Sequence, residues 1–173
     1  VISDPRDIYA ADVNNDGFND ILVPEGVSGG QAIAVLLNNG DGTFKAQVKY
    51  GTGGDTAFVR TGDFNGDGII DMAAPTNGDN HIAVLLGNGN GTFKAATTYV
   101  TPSSTSLELG DFNNDGILDI ATANWSADNV SVLLGNSNGS FKAQLIIAAG
   151  TDPFHIAVGD ANGDGTVDPL DSG

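Results

Sequence analysis

Aspartate recurs in this sequence at fixed intervals. Four nine-residue stretches superimpose: Asp12-Val-Asn-Asn-Asp-Gly-Phe-Asn-Asp20, Asp63-Phe-Asn-Gly-Asp-Gly-Ile-Ile-Asp71, Asp111-Phe-Asn-Asn-Asp-Gly-Ile-Leu-Asp119 and Asp160-Ala-Asn-Gly-Asp-Gly-Thr-Val-Asp168. Each has carboxylates at positions one, five and nine and an Asn amide at position three. So many acids in a plain turn would repel one another. The Gly after Asp16, Asp67, Asp115 and Asp164 permits a sharp bend. The spacing then wraps the side-chain oxygens around one centre, with the carbonyl of position seven pointing inward. That donor set suits a hard cation with six to eight oxygen ligands, Ca2+ before Mg2+. No His or Cys lies in any loop, which disfavours zinc and copper. A lone Asp-Gly turn would be only a turn, but four copies with one acidic spacing favour metal. Twelve of the 22 acidic residues belong to these loops, and four bound Ca2+ would halve the formal charge of −16.

The loops recur with a period of about fifty residues, the length of a propeller blade or solenoid unit. A second block follows each of the first three: Val35-Leu-Leu-Asn-Asn-Gly-Asp-Gly-Thr-Phe44, Val84-Leu-Leu-Gly-Asn-Gly-Asn-Gly-Thr-Phe93 and Val132-Leu-Leu-Gly-Asn-Ser-Asn-Gly-Ser-Phe141, with Lys-Ala next each time. Each unit reads as four short strands. Strand A precedes the loop (8–11, 58–61, 106–109, 154–158) and strand B leaves it (21–23, 72–74, 120–123). Strand C is 32–37, 81–86 or 129–134, and an Asn/Gly hairpin leads to a strand D beginning near Phe44, Phe93 or Phe141. Repeated four-stranded units predict an all-β propeller: three complete antiparallel blades (about 5–50, 56–100 and 104–149) and a partial fourth (about 153–173), one repeat domain over 1–173. No stretch keeps a helical apolar period over ten residues. An EF-hand would need helices around each loop and an acid at position twelve. That position is Val23, Ala74 and Thr122 in the first three loops; Asp171 and Pro169 make the fourth look more EF-hand-like, although the repeat period places it as a blade loop.

A chain of 173 residues holds one ordinary domain. No apolar run approaches the roughly 20 residues of a membrane helix. Six Lys and Arg against 22 Asp and Glu give a field that repels nucleic acid and anionic membrane surfaces. Without Cys there are no disulfides, thiolate sites or catalytic cysteines. Val1-Ile2-Ser3-Asp4 is no signal peptide, so the expectation is a processed chain or a piece of a longer one.

Gly62-Asp-Phe-Asn-Gly-Asp-Gly-Ile-Ile-Asp71, Gly110-Asp-Phe-Asn-Asn-Asp-Gly-Ile-Leu-Asp119 and the Gly-Asn-Gly-Thr-Phe blocks resemble FG-GAP repeats of the VCBS type, found in integrin α-subunit propellers and many secreted bacterial proteins. The resemblance covers nearly the whole chain. It implies a Ca2+-bearing propeller, extracellular or at the cell surface, acting in binding or adhesion and carrying three to four Ca2+ per chain. By position it implies as ligands Asp12, Asn14, Asp16, the Phe18 carbonyl and Asp20; Asp63, Asn65, Asp67, the Ile69 carbonyl and Asp71; Asp111, Asn113, Asp115, the Ile117 carbonyl and Asp119; and Asp160, Asn162, Asp164, the Thr166 carbonyl and Asp168. The departure is size, since such rings usually have roughly six or seven blades. Open blade faces expose apolar surface, so the expectation is a longer chain or self-association, most simply a dimer with strand 154–158 pairing across the junction.

Nothing outside the loops reads as a catalytic constellation, and the chain is expected not to be an enzyme. His81 reads as a surface strand residue, His155 as a core or channel residue, and Glu25 as a solvated charge in the longest B–C loop. The B–C loops vary most (24–31, 75–80, 124–128), as a ligand surface should. Trp125 on one of them either stacks on a sugar or protein, or packs on the neighbouring blade. Arg60 and Glu108 share one strand A position and are expected to pair between blades. The matches to the N-glycosylation pattern at Asn90, Asn124, Asn129 and Asn138 are expected by chance in an Asn-rich repeat. Three readings follow: a Ca2+-stabilised binding module for glycans or proteins, a purely structural spacer, or part of a catalytic propeller.

Overall fold

The computed structural model describes residues 5–26 and 30–160, and the backbone of 168–171. A strand whose sheet is covered on both faces is buried along nearly its whole length, as 71–76, 82–85 and 119–124 are. The first blade is β1 (Tyr9–Ala11), β2 (Asp20–Glu25), β3 (Ala32–Leu36) and β4 (Val48–Gly51), each antiparallel to the next. The second has a split inner strand, β5 (Asp55–Thr56) and β6 (Arg60–Gly62), both pairing with β7 (Asp71–Asn77), then β8 (His81–Leu85) and β9 (Thr97–Val100). The third is β10 (Ser104–Gly110), β11 (Asp119–Asn124), β12 (Asn129–Leu133) and β13 (Leu145–Ala148). Its inner strand continues across the break seen in the second blade, with a register shift between Ser104 and Ser106.

The partial fourth unit is β14 (Ile156–Gly159) paired with β15 (Asp168–Asp171). Gly159 lies opposite Asp168, as Ala11 lies opposite Asp20, Gly62 opposite Asp71 and Gly110 opposite Asp119. The strands on either side of the fourth loop thus share the register of the other three blades. The loop's residues Asn162, Asp164 and Thr166 lie outside the described residues.

Strand D starts later than the sequence suggests. Phe44, Phe93 and Phe141 form only isolated bridges, to Asn38, Gly87 and Gly135. The regular ladder resumes at Val48, Thr97 and Leu145, opposite Val35, Val84 and Val132. Between bridge and ladder the outer strand carries one residue more than its partner, a β-bulge repeated in every complete blade. The apolar Phe marks the end of the hairpin, and the sequence shows no sign of the bulge behind it.

The core lies between blades. One cluster joins Leu22, Ile33 and Val35 of the first blade to Met72, Ala74, Ala83 and Leu85 of the second. A second joins Ala73, Ile82 and Val84 to Leu107, Ile120 and Leu133 of the third. A third joins Ala121, Ala123, Val130 and Val132 to Ile156 of β14. Tyr50 meets Phe93 edge to face at 5.3 Å. Tyr99 meets Phe141 in the same way at 5.4 Å. Each of these hairpin Phe rings thus plugs into the preceding blade. At the first blade that partner is missing: Ile8 is 67 % exposed where its counterpart Val59 is buried, and Phe44 is 39 % exposed against 7 % for Phe93 and Phe141.

Candidate functional site

The aspartate loops take the same path three times. Position six is always Gly, at φ of +88° in Gly17, +77° in Gly68 and +82° in Gly116. A side chain would be strained there. The turn points backbone N–H groups at the position-one carboxylate. Asp12 Oδ1 accepts from Asp16 N (3.1 Å) and Oδ2 from Gly17 N (2.8 Å). Asp63 and Asp111 repeat this with Asp67 and Gly68, and with Asp115 and Gly116. Asn14 Oδ1 accepts from Asp16 N while its Nδ2 donates to Asp16 Oδ2 (2.9 Å), and Asn65 does the same toward Asp67. Phe18, Ile69 and Ile117, the residues of position seven, each donate a backbone N–H to the central Asp.

The position-nine carboxylate has a different environment. Asp20, Asp71 and Asp119 are fully buried. One oxygen accepts from the second residue of its own loop: Val13 (3.1 Å), Phe64 (2.9 Å) or Phe112 (2.9 Å). The other accepts from Asn38 (2.8 Å), Gly87 (2.7 Å) or Gly135 (2.7 Å) at the start of the C–D hairpin. The aspartate therefore clamps loop to hairpin. Burial raises the pKa of Asp71 and Asp119, while these backbone donors pull it down.

The loop donors are all oxygens, and in the first two loops the carboxylate of position one and the amide of position three converge on one N–H. The residue types thus fit a hard cation. Among the described residues, however, no three His, Cys, Asp or Glu side chains are gathered as around a metal ion. The carboxylates accept from the loop's own amides, which leaves an oxygen such as Asp12 Oδ1 or Oδ2 a further lone pair.

Of the remaining sequence candidates, Arg60 and Glu108 pair as expected at 2.6 Å across two blades. The Arg60 guanidinium also lies over the Tyr9 ring. Trp125 opens a 3-10 turn (Trp125–Ala127) and is 48 % exposed rather than packed away. Glu25 is not a solvated loop charge. It ends β2, is fully buried, and pairs with Lys49 at 2.7 Å, because β-pairing with Ala32 extends the strand past Pro24. His81 is partly buried, its two ring nitrogens 3.1 Å from the carbonyls of Asp79 and Thr52, so it braces a loop between blades. His155 is exposed, not in the core, because β14 begins at Ile156, two residues later than expected; its ring lies edge-on to Phe58 of the second blade.

One candidate was missed by sequence reasoning. Between the second and third blades a cavity of about 250 Å³ is lined by Tyr99, Val100, Leu133, Phe141, Lys142 and Gln144. Behind it runs a buried polar chain. Gln144 Oε1 lies 2.7 Å from Ser131 Oγ, the Asn124 amide another 2.7 Å beyond, and Ser104 Oγ 3.0 Å from that amide. Ser131 replaces Ala34 and Ala83 of the other blades. A polar residue at an otherwise Ala position was the available signal.

The fold and its repeated loop define a class. The chain belongs to the FG-GAP-like repeat family, which matches residues 12–74, 63–122 and 111–170. Among curated proteins none matches it. Among solved structures it is similar to an Agrocybe aegerita lectin described as recognising non-reducing terminal N-acetylglucosamine, with a TM-score of 0.63 and 22 % identity over 94 % of this chain. It is also similar to part of the Photorhabdus luminescens Tc holotoxin pore, with a TM-score of 0.56 and 18 % identity over 95 % of this chain. The chain spans 45 % of the length of the lectin and 8 % of that of the toxin chain.

Proposed function

We propose that the protein is a non-enzymatic, Ca2+-stabilised propeller module that binds glycans outside the cell or at its surface. The observation that carries the binding reading is the third blade's departure from the repeat: a polar chain leads to a cavity with an aromatic wall, on a fold shared with a lectin. An apolar, aromatic lining with a few fixed polar groups suits a small polar ligand such as a sugar. The Ca2+ reading rests on the repeated oxygen-only loops, whose crowded carboxylates a bound cation would neutralise, adding stability by mass action. The position-one and position-five aspartates with the position-three Asn would hold it, joined by the carbonyl of position seven and the carboxylate of position nine. The ion would supply charge neutralisation and cross-linking of the loop.

A glycan array probed with the full chain in Ca2+ tests the binding; absence of signal on every glycan favours the structural-scaffold reading. Calorimetric titration of chelator-stripped protein should show at least three equivalents of Ca2+ at an affinity on the order of 10⁻⁴–10⁻³ M, as for extracellular modules. The melting temperature should fall in chelator, and an unchanged curve would overturn the stabilising role.

A further inference from the structure

Cations are scarce in this chain: Arg6, Lys45, Lys49, Arg60, Lys94 and Lys142. Lys49 pairs with Glu25 and Arg60 with Glu108, and Arg6 is also engaged. The other three stand at one repeat position, directly after the hairpin Phe. They are exposed, and among the described residues their ammonium groups make no hydrogen bond or ion pair. With 22 acids available, pairing would be easy. A free lysine on an outer strand also guards a sheet edge, and that suffices for Lys45 and Lys94. At Lys142 a second feature coincides. It lines the cavity together with Gln144, which Ser131 holds by one end of its amide, leaving the other end for the cavity. Ser131 is fully buried and fixed by Asn124, itself fully buried and bonded to Ser104 and Thr122. The chain of contacts fixes Gln144 without using up its hydrogen-bonding capacity. Tyr99 and the mostly buried Phe141 complete its apolar lining.

We infer that this cavity between the second and third blades binds an acidic sugar, its carboxylate on Lys142, a hydroxyl on Gln144 and its ring against Tyr99 and Phe141. The inference rests on the glycan reading and adds the charge class of the ligand and the residues that select it. Lys142 supplies the charge, Gln144 supplies direction, and Ser131 is a positioning residue. The Lys142 ammonium attracts an anion at close range while the acidic chain as a whole repels it, and salt screens both; the lysine's share is therefore the part of the salt dependence that Lys142→Gln removes.

The test is NMR titration of the full chain with methyl β-glucuronide and, in parallel, with neutral methyl β-glucoside. The glucuronide should shift the amides of residues 99–100, 131 and 141–144, and bind at least tenfold more tightly than the glucoside at low salt. Lys142→Gln should abolish that preference, while Lys94→Gln leaves it intact. Ser131→Ala, which installs the residue of the other two blades, should weaken both sugars severalfold without changing the salt dependence. Equal binding of both sugars at the cavity, or a preference that survives Lys142→Gln, overturns the acidic-sugar inference and leaves the glycan reading standing. Shifts confined to another surface reject this cavity as the site. If neither these sugars nor any glycan on the array binds, the glycan reading fails with it.

Discussion

At the residue scale the informative group is the ninth aspartate of each loop. A metal ligand and nothing more would matter only while metal is bound. Asp71 instead uses both oxygens on backbone N–H groups of Phe64 and Gly87. Asn in its place keeps the shape, but its amide nitrogen would face one of those donors. Leaving a buried donor unpaired costs about 1–3 kcal/mol. Asp71→Asn should therefore lower stability by that order in urea denaturation with chelator present. A variant as stable as the wild type under chelation would reduce the residue to a metal ligand.

At the element scale the C–D hairpin is pinned from one side by that carboxylate and from the other by close backbone approach. A Cβ on Gly87 would sit 2.3 Å from the Ile70 carbonyl oxygen, and one on Gly135 2.5 Å from that of Leu118. The first blade has Asn38 there, whose side chain donates to the Asn19 carbonyl. Because backbone cannot yield as a side-chain tip can, Gly87→Ala should cost about 1–3 kcal/mol, the usual penalty of overpacking. Gly51→Ala, with open space at that point, should be close to neutral in the same denaturation series. The sequence makes these elements readable where chemistry repeats. Asp-x-Asn-x-Asp-Gly located the loops, the Val-Leu-Leu runs located strand C, and Arg60 and Glu108 at one repeat position foretold their pairing. It is silent where geometry alone decides. The bulge before strand D needs no special residue type. The burial of Glu25 depends on a ladder extended by pairing with Ala32. The polar chain behind the cavity runs from Ser104 to Gln144, residues on opposite edges of the third sheet that only the folded blade brings together.

At the scale of the whole molecule the first blade presents a face that the second and third bury. Ile8 and Phe44 stand out into solvent where Val59 and Phe93 are covered. Covering one large apolar side chain is worth about 1.5–3 kcal/mol, so several together favour a partner blade. Whether that blade belongs to the same polypeptide or to another copy, the 173-residue chain on its own should associate at low micromolar concentration in Ca2+-containing buffer. Light scattering should report a dimer or larger species, and Ile8→Asp with Phe44→Ser should return it to monomer. A compact wild-type monomer would mean that three blades can protect their own ends.

The stacking of blades through three separate apolar clusters also has a kinetic consequence. Each sheet is stabilised only by its immediate neighbours, as in other repeat proteins, so unfolding need not involve the whole chain at once. The second and third sheets are each wedged between two clusters, while the first has one of its faces open. Amide hydrogens of β7, β8, β11 and β12 should then exchange with solvent deuterium last, at the rate of global opening. Those of β2 and β3 should exchange sooner, through fraying of a single blade. In the associated form that difference should shrink, because the outermost blade would no longer be outermost.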